Sequence, residues 1–478
     1  MSQTRREFLR STGCAALGAG ALAAGIQDFG LVNAFAETGA TDYKALVCVF
    51  MSGGNDGNNT IVPVDDARYA QYAAARAAAG LALPRTGAGG LLPVNPAGGG
   101  QYGLHPGMTE LQSLFNQGKA AAVCNTGPLV EPLTKATYQN GSGKRPLQLF
   151  SHSDQVNQWL TSVANDNSQT GWGGRAADRA SDLNAGATFP QMVSIAGVNL
   201  FVTGQTTRPL AIGDSNTPLA SVLPLNNAIN NADSSNFTAA QNAARRTAFD
   251  AIRALVSTEK LTKAAADTTT SALQTSAALA STNPVINTPF PTPSTSLSRQ
   301  LLQVARLIAL RDTLSMKRQI FFVSIGGFDT HNNQTAANSQ ALLLQQVSQA
   351  TSAFYSATVE LGVADKVTTF TLSDFGRTLQ PAGSGAGVGS DHAWGNHHFV
   401  IGGAVRGGSF YGSFPTLVMG GPDDTDGGSN PRGRWIPTTS VEQYAATLAS
   451  WYGLSQSDLP LVFPLIGRFN STNLGFML

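Results

Sequence analysis

The sequence predicts an α/β fold: a three-layer α/β/α arrangement around a mainly parallel central sheet, with a helical insertion at its edge. Three observations carry this expectation. Short apolar runs of strand type recur along the chain, segments of helical periodicity separate them, and glycine-rich turns bearing Asp or His follow them.

Tyr43–Met51 is the first such run, closed by the turn Ser52-Gly-Gly-Asn-Asp56. Leu104–Gln117 follows with Met108, Leu111 and Leu114 on one helical stripe, and leads into a strand at Ala120–Asn125. A polar loop reaches Leu149-Phe-Ser151-His152-Ser-Asp154, where a short helix starts and runs through Trp159. Val193–Ile212 holds three short β-like runs split by Gly and Pro, which predicts a hairpin or meander. From 226 to 300 the composition turns to Ala, Asn, Ser and Thr, ending in Pro284, Pro289, Pro291 and Pro293: a peripheral helical insertion followed by an irregular linker. A helix resumes over Leu301–Leu310, and Arg318–Ile325 is a strand that ends at Asp329. Ala341–Leu361 places Leu343, Val347, Ala350, Phe354, Ala357 and Leu361 on one helix face. Strands at Val367–Leu372 and His398–Gly403 follow. Thr439-Ser-Val-Glu442 has the form of a capping box opening a helix to Trp451, with Gly453 as its stop.

The first 36 residues read as an export signal rather than as part of the fold. Thr4-Arg5-Arg6-Glu7-Phe8-Leu9-Arg10 is similar to the twin-arginine consensus, an Ala/Gly-rich apolar stretch spans 14 to 26, and Ala34-Phe35-Ala36 forms a small-residue cleavage site. That stretch is too short and too weakly apolar to span a bilayer, so a periplasmic or secreted protein without stable membrane insertion is expected. Residues 1–36 hold three of the 30 basic and two of the 29 acidic side chains, so residues 37–478 carry 27 of each and form one expected domain. A nucleic-acid binder needs a basic field, and this balance excludes one. Cys48 and Cys124 lie in apolar runs; buried free thiols are the default, a disulfide the alternative in an oxidising compartment.

Four of the six histidines fall between 329 and 398, interleaved with acids and glycines just past strand ends. In a parallel sheet, ligands bind beyond the carboxyl ends of the strands, and carboxylate with imidazole gathered there is metal-binding chemistry. Asp56, Asp329, His331, Asp374, His392 and His397 are the candidate metal ligands. The ion would be divalent: zinc, manganese, magnesium or calcium. Ser151 stands at a helix N-terminus, either as an anion-side nucleophile or as a plain capping serine, with His152 beside it. Arg377 is placed to meet an anionic oxygen or, alternatively, a carboxylate such as Asp391. Asn55, Asn58 and Asn59 are either turn residues or groups behind the ligands, and Asp423, Asp424 and Asp426 are expected to form a solvated turn.

Gly53-Gly-Asn-Asp-Gly57, Ser151-His152, Gly326-Gly-Phe-Asp-Thr-His331, Ser373-Asp-Phe-Gly-Arg-Thr378 and Asp391-His-Ala-Trp-Gly395 together resemble the exported bacterial family of domain of unknown function 1501. That family in turn resembles a remote branch of the alkaline phosphatase and sulfatase superfamily. The resemblance implies an alkaline-phosphatase-like fold with Ser151 as nucleophile. Asp329, His331 and His392 would hold one metal, and Asp56 and Asp374 would belong to a second. Phe375 stands where the superfamily has a histidine, Asp329 and His331 are two residues apart rather than four, and no sulfatase formylglycine motif surrounds Ser151. The expected function is an exported metal-dependent hydrolase of phosphate or sulfate esters, acting on a small anionic substrate. The alternative is a non-catalytic exported protein of the same fold that binds a metal or an anion.

Overall fold

The computed structural model describes residues 43–187, 189–223, 238–254, 259–280 and 283–478. The expected export signal of residues 1–36 lies outside them. Among the described residues no helix is long and apolar enough to cross a membrane.

A nine-stranded sheet forms the middle layer. Across it run Phe410–Tyr411, Ala120–Gly127, Asn396–Gly402, Val367–Ser373, Lys44–Met51, Arg318–Ile325, Met192–Ser194 and Leu210–Ala211, with Thr439–Ser440 also paired to Ala120–Gly127. Asn396–Gly402 runs antiparallel to both its neighbours, while the remaining pairings of this sheet are parallel. Its first residue therefore lies at the edge where the parallel strands end, level with Thr126.

Alternation along the strands separates two apolar layers. Val47, Val49, Phe321, Val323, Phe399 and Ile401 face the helices Thr109–Asn116, Ser296–Ala309 and Gln340–Glu360. Leu46, Cys48, Phe50, Ile320, Phe322, Phe370 and Val400 face His152–Thr161, Trp172–Arg179 and Val441–Tyr452. Both faces of the central strands are covered, which is why those strands read as continuous apolar runs instead of alternating ones.

Several local expectations shift. Met192–Ser194 and Leu210–Ala211 pair in parallel, so this stretch is a crossover rather than a hairpin or meander. The capping box of the Val441–Tyr452 helix is formed by Ser440 and Gln443, one residue later than expected, and Glu442 turns inward and is buried. Asp424 is buried rather than solvated; its carboxylate accepts backbone N–H groups of Gly420, Asp426, Gly433 and Arg434 at 2.8–3.1 Å. Cys48 and Cys124 are buried free thiols, and burial pushes both of their pKa values up. In the 226–300 region, the helix Ala239–Ala254 buries no residue, whereas Lys260–Ala280 buries Thr275, Ser276 and Leu279. The third helix begins at Ser296, five residues before the expected start, and is a core element.

Candidate metal centre

The carboxyl ends of three adjacent strands, Val367–Ser373, Lys44–Met51 and Arg318–Ile325, deliver Asp374, the Gly53-Gly54 turn and Asp329 to one place. Gly53 is indispensable there. Its φ is +116°, and a Cβ on it would stand 2.3 Å from the backbone nitrogen of Asp329. The hairpin of Arg377–Ala382 and Gly389–His392 brings His392 over the same edge. The helix His152–Thr161 adds its first residue.

Four side chains converge: His152, Asp329, His331 and His392 each offer a ligand atom, and these atoms all lie within 4.8 Å of one another. The Nε2 atoms of His152, His331 and His392 are 3.6, 3.3 and 3.9 Å from Asp329 Oδ1. Each imidazole has its other nitrogen already engaged. His152 Nδ1 is 2.7 Å from Asp374 Oδ2, His331 Nδ1 is 3.0 Å from Asp391 Oδ1, and His392 Nδ1 is 2.7 Å from the Phe150 carbonyl. A carbonyl or an ionised carboxylate only accepts, so each Nδ1 carries the hydrogen and each Nε2 presents a lone pair. Two consequences test whether a cation fits. His331 Nε2 and His392 Nε2 face each other at 2.7 Å, a repulsive meeting of lone pairs unless a cation joins them. His152 Nε2 is buried with no hydrogen-bond partner among the described residues. Imidazoles oriented through Nδ1 by carboxylate or carbonyl are the usual setting of a metal-bound histidine. The donor set fits a divalent ion.

Electrostatics agree with neutral rings. Burial is the first cause lowering the pKa of His392, to about 4, and that of His331, with the Arg377 charge adding to both. Burial works against the Asp329 carboxylate, but the Arg377 hydrogen bond and charge outweigh it and hold its pKa below the usual range. The side chains stay open to solvent: Asp329 is 51% and His331 41% exposed. A catalytic metal site needs such an open side.

The other candidates fall behind or away from this cluster. Asp374 is buried and holds His152 Nδ1, while its Oδ1 accepts the Gly53 N–H at 2.9 Å. Arg377 is buried too: its guanidinium donates to Asp329 Oδ1 at 2.5 Å and to the carbonyls of Gly53, Gly54 and Ser390. Its carboxylate partner is Asp329, not Asp391, which instead pairs with Arg432. Asp56 is not brought to the cluster. It caps the Gly57–Thr60 turn and forms a fully buried bidentate pair with Arg76 at 2.6 and 3.0 Å. His397 is likewise apart: its Nδ1 accepts the Asn125 N–H at 3.1 Å, and its ring stacks on Phe414. The Ser151 hydroxyl makes no capping bond; it donates to Asp154 Oδ2 at 2.6 Å. Phe375 packs its ring 4.7 Å from that of His152 and 4.6 Å from that of His392. Asn58 and Asn59 are buried behind the site, Asn58 donating to the Arg377 carbonyl and Asn59 accepting from Arg76 and Tyr72.

Sequence reasoning did not single out Arg76, Gln334 or Asp154. Arg76 ends an eleven-residue helix, Asp66–Arg76, whose Asp65 N-cap was a legible start signal.

The chain thus combines a mainly parallel α/β sheet with a His/Asp cluster at its carboxyl edge that could hold a cation. Over residues 43–423 it matches the family described as "Protein of unknown function (DUF1501)", and it belongs to that family. No curated protein matches it in sequence. Among solved structures it is similar to the PsFucS1 sulfatase from Pseudoalteromonas sp., at 8% identity and a TM-score of 0.29, covering 77% of this chain and 64% of that one. It is similar to the lipoteichoic acid synthase LtaP from Listeria monocytogenes at 8% identity and a TM-score of 0.32, covering 88% and 74% of the two chains. For Ps i-CgsB in complex with k-i-k-neocarrahexaose, the values are 9%, 0.33, 90% and 77%. The chain thus spans less than two thirds of the length of the first of these.

Proposed function

We propose that this protein is a metal-dependent hydrolase of phosphate or sulfate esters, exported by the twin-arginine machinery to the periplasm or beyond, with a small anionic ester as substrate. The observation that carries the reading is the convergence of three imidazole lone pairs and one carboxylate on a solvent-open point, with each imidazole oriented from behind. His152, Asp329, His331 and His392 would hold the ion. A bound divalent ion supplies Lewis acidity to an ester oxygen. The remaining work falls to the chain itself. Ser151 Oγ stands at the start of a ten-residue helix, whose free N–H groups favour an anion. Its hydroxyl donates to Asp154 Oδ2, which would take the proton as Oγ bonds to phosphorus or sulfur, the ester P–O or S–O bond breaks, and the leaving alcohol oxygen takes a proton from solvent. Arg377 keeps Asp329 ionised, and Asp374 fixes the His152 tautomer.

The test is Ser151→Ala in the purified protein, assayed on a panel of aryl phosphates and sulfates with several divalent ions. Turnover should fall by at least about a hundredfold, the scale of removing a covalent nucleophile, while metal content stays unchanged. Full activity would remove Ser151 from the mechanism. A second reading, a non-catalytic metal-binding protein of this fold, is favoured by the commitment of Asp56 to Arg76. A metal-loaded protein inert toward the whole panel would select it.

A further inference from the structure

We propose that the centre takes one ion per chain, of the zinc type rather than magnesium or calcium, and that buried guanidinium charge stands in for a second cation. This rests on the metal-dependent reading above and adds the number and class of the ion.

The resemblance to the alkaline phosphatase superfamily implies a second metal on Asp56 and Asp374, and the residues present do not fit one. Both oxygens of Asp56 are taken: Oδ2 by Arg76 Nη1 at 2.6 Å and Gln334 Nε2 at 2.6 Å, Oδ1 by Arg76 Nη2 at 3.0 Å and the Asn58 N–H at 3.1 Å. The pair has no exposed side-chain surface. Arg76 is itself tied down, donating to the Leu379 and Thr378 carbonyls at 3.0 and 2.9 Å and to Asn59 Oδ1 at 2.5 Å. Displacing it would strand a buried cation without its counter-charge. Asp374 is engaged at both oxygens, by Gly53 and by His152. Phe375 turns a donorless ring toward both His152 and His392. Two of the carboxylates here are therefore already matched by fixed positive charge, Asp56 by Arg76 and Asp329 by Arg377.

The remaining donors define the ion. Magnesium demands oxygen in near-octahedral geometry, and calcium takes six to eight oxygens. Three imidazole nitrogens with one carboxylate suit zinc or a neighbouring first-row ion instead. His152 adds a third nitrogen to Asp329, His331 and His392, and it owes its free Nε2 to Asp374.

The experiment is equilibrium dialysis of the full chain, stripped by chelator, against equal concentrations of zinc, manganese, magnesium and calcium. Elemental analysis then counts the ions, and X-ray absorption at the metal edge counts the imidazoles. The expected result is one zinc-type ion per chain with three imidazoles, falling to two in His152→Asn, a change at a partly exposed position whose retained fold is checked by circular dichroism. Two ions per chain, or preferential uptake of magnesium or calcium, would overturn the inference while leaving a metal-dependent hydrolase possible. Retention of three imidazoles in His152→Asn would remove His152 as a ligand. No bound ion at all would overturn both this inference and the metal-dependent reading on which it rests.

Discussion

Asp374 lies behind the candidate metal cluster, yet it decides which nitrogen His152 offers. With its Oδ2 at 2.7 Å from Nδ1, it forces the hydrogen onto that atom and frees Nε2. Asp374→Asn keeps the shape but presents an amide that satisfies either tautomer. Metal affinity should then fall by about 10–100-fold, the usual effect of losing such an orienting group. Competition with a chromophoric chelator measures it, and unchanged affinity would show that His152 is oriented by something else. Single residues also mark where the sequence misleads. Adjacent side chains on a strand point to opposite faces, so His397 and His398 separate, the first onto Phe414 and the second against Trp159 and Tyr444. Both end as core rings, although their neighbourhood in sequence is that of the ligands. Whereas His392 is the last residue of the strand Gly389–His392, Asp329 and His331 were legible as candidates because they sit in a loop past a strand end. Asp56 has the same setting, but its buried partner Arg76 arrives from a helix that the turn motif alone does not foretell.

Helices and strands were legible where periodicity was strong. Arg318–Ile325 matches its expected bounds, and Gln340–Glu360 lies within a residue of them. Pairing order was not legible, because sheet neighbours such as Lys44–Met51 and Val367–Ser373 meet across hundreds of residues. The 226–300 segment shows the intermediate case. Composition marks it as peripheral, and the Ala239–Ala254 helix buries nothing, but Lys260–Ala280 inserts Leu279 into the core layer that holds Leu297 and Leu301. Ser276 Oγ also donates to the Leu223 carbonyl at 2.7 Å. Leu279→Ala should cost about 2–5 kcal/mol, the range for a buried leucine truncated to alanine. Ile252→Ser, at a position 69% exposed on the first helix, should stay within about 0.5 kcal/mol of the parent. Chemical denaturation of both variants decides it; equal stabilities would mean that the second helix is not anchored through Leu279.

Across the whole molecule, buried titratable groups give stability a predictable dependence on pH. Burial lowers the pKa of His397 and His398 to about 3 and that of His105 to about 4. Unfolded histidine titrates near 6.5, so below that the unfolded chain binds protons the fold refuses. Their contribution is complete above about pH 6.5 and is lost as pH falls toward 3. Glu442 acts in the opposite sense. Burial raises its pKa to about 8, against a lowering by the Leu465 N–H and by Arg175. The fold therefore keeps a proton that the unfolded chain releases above about pH 4.3, and stability drains away as pH rises toward 8. The buried histidines outweigh one glutamate on the acid side, and above neutrality the glutamate lowers stability. The melting temperature should peak near pH 7, with a steeper acid than alkaline limb. Glu442→Gln tests the alkaline limb on its own. Its amide keeps an acceptor for the Leu465 N–H, and its N–H₂ takes the place of Glu442 Oε2, a buried atom without a hydrogen-bond partner among the described residues. The variant's melting temperature should therefore gain on the parent's progressively from pH 5 to pH 8. A gap that does not change with pH would mean that Glu442 is already ionised in the fold, and the alkaline limb would need another source.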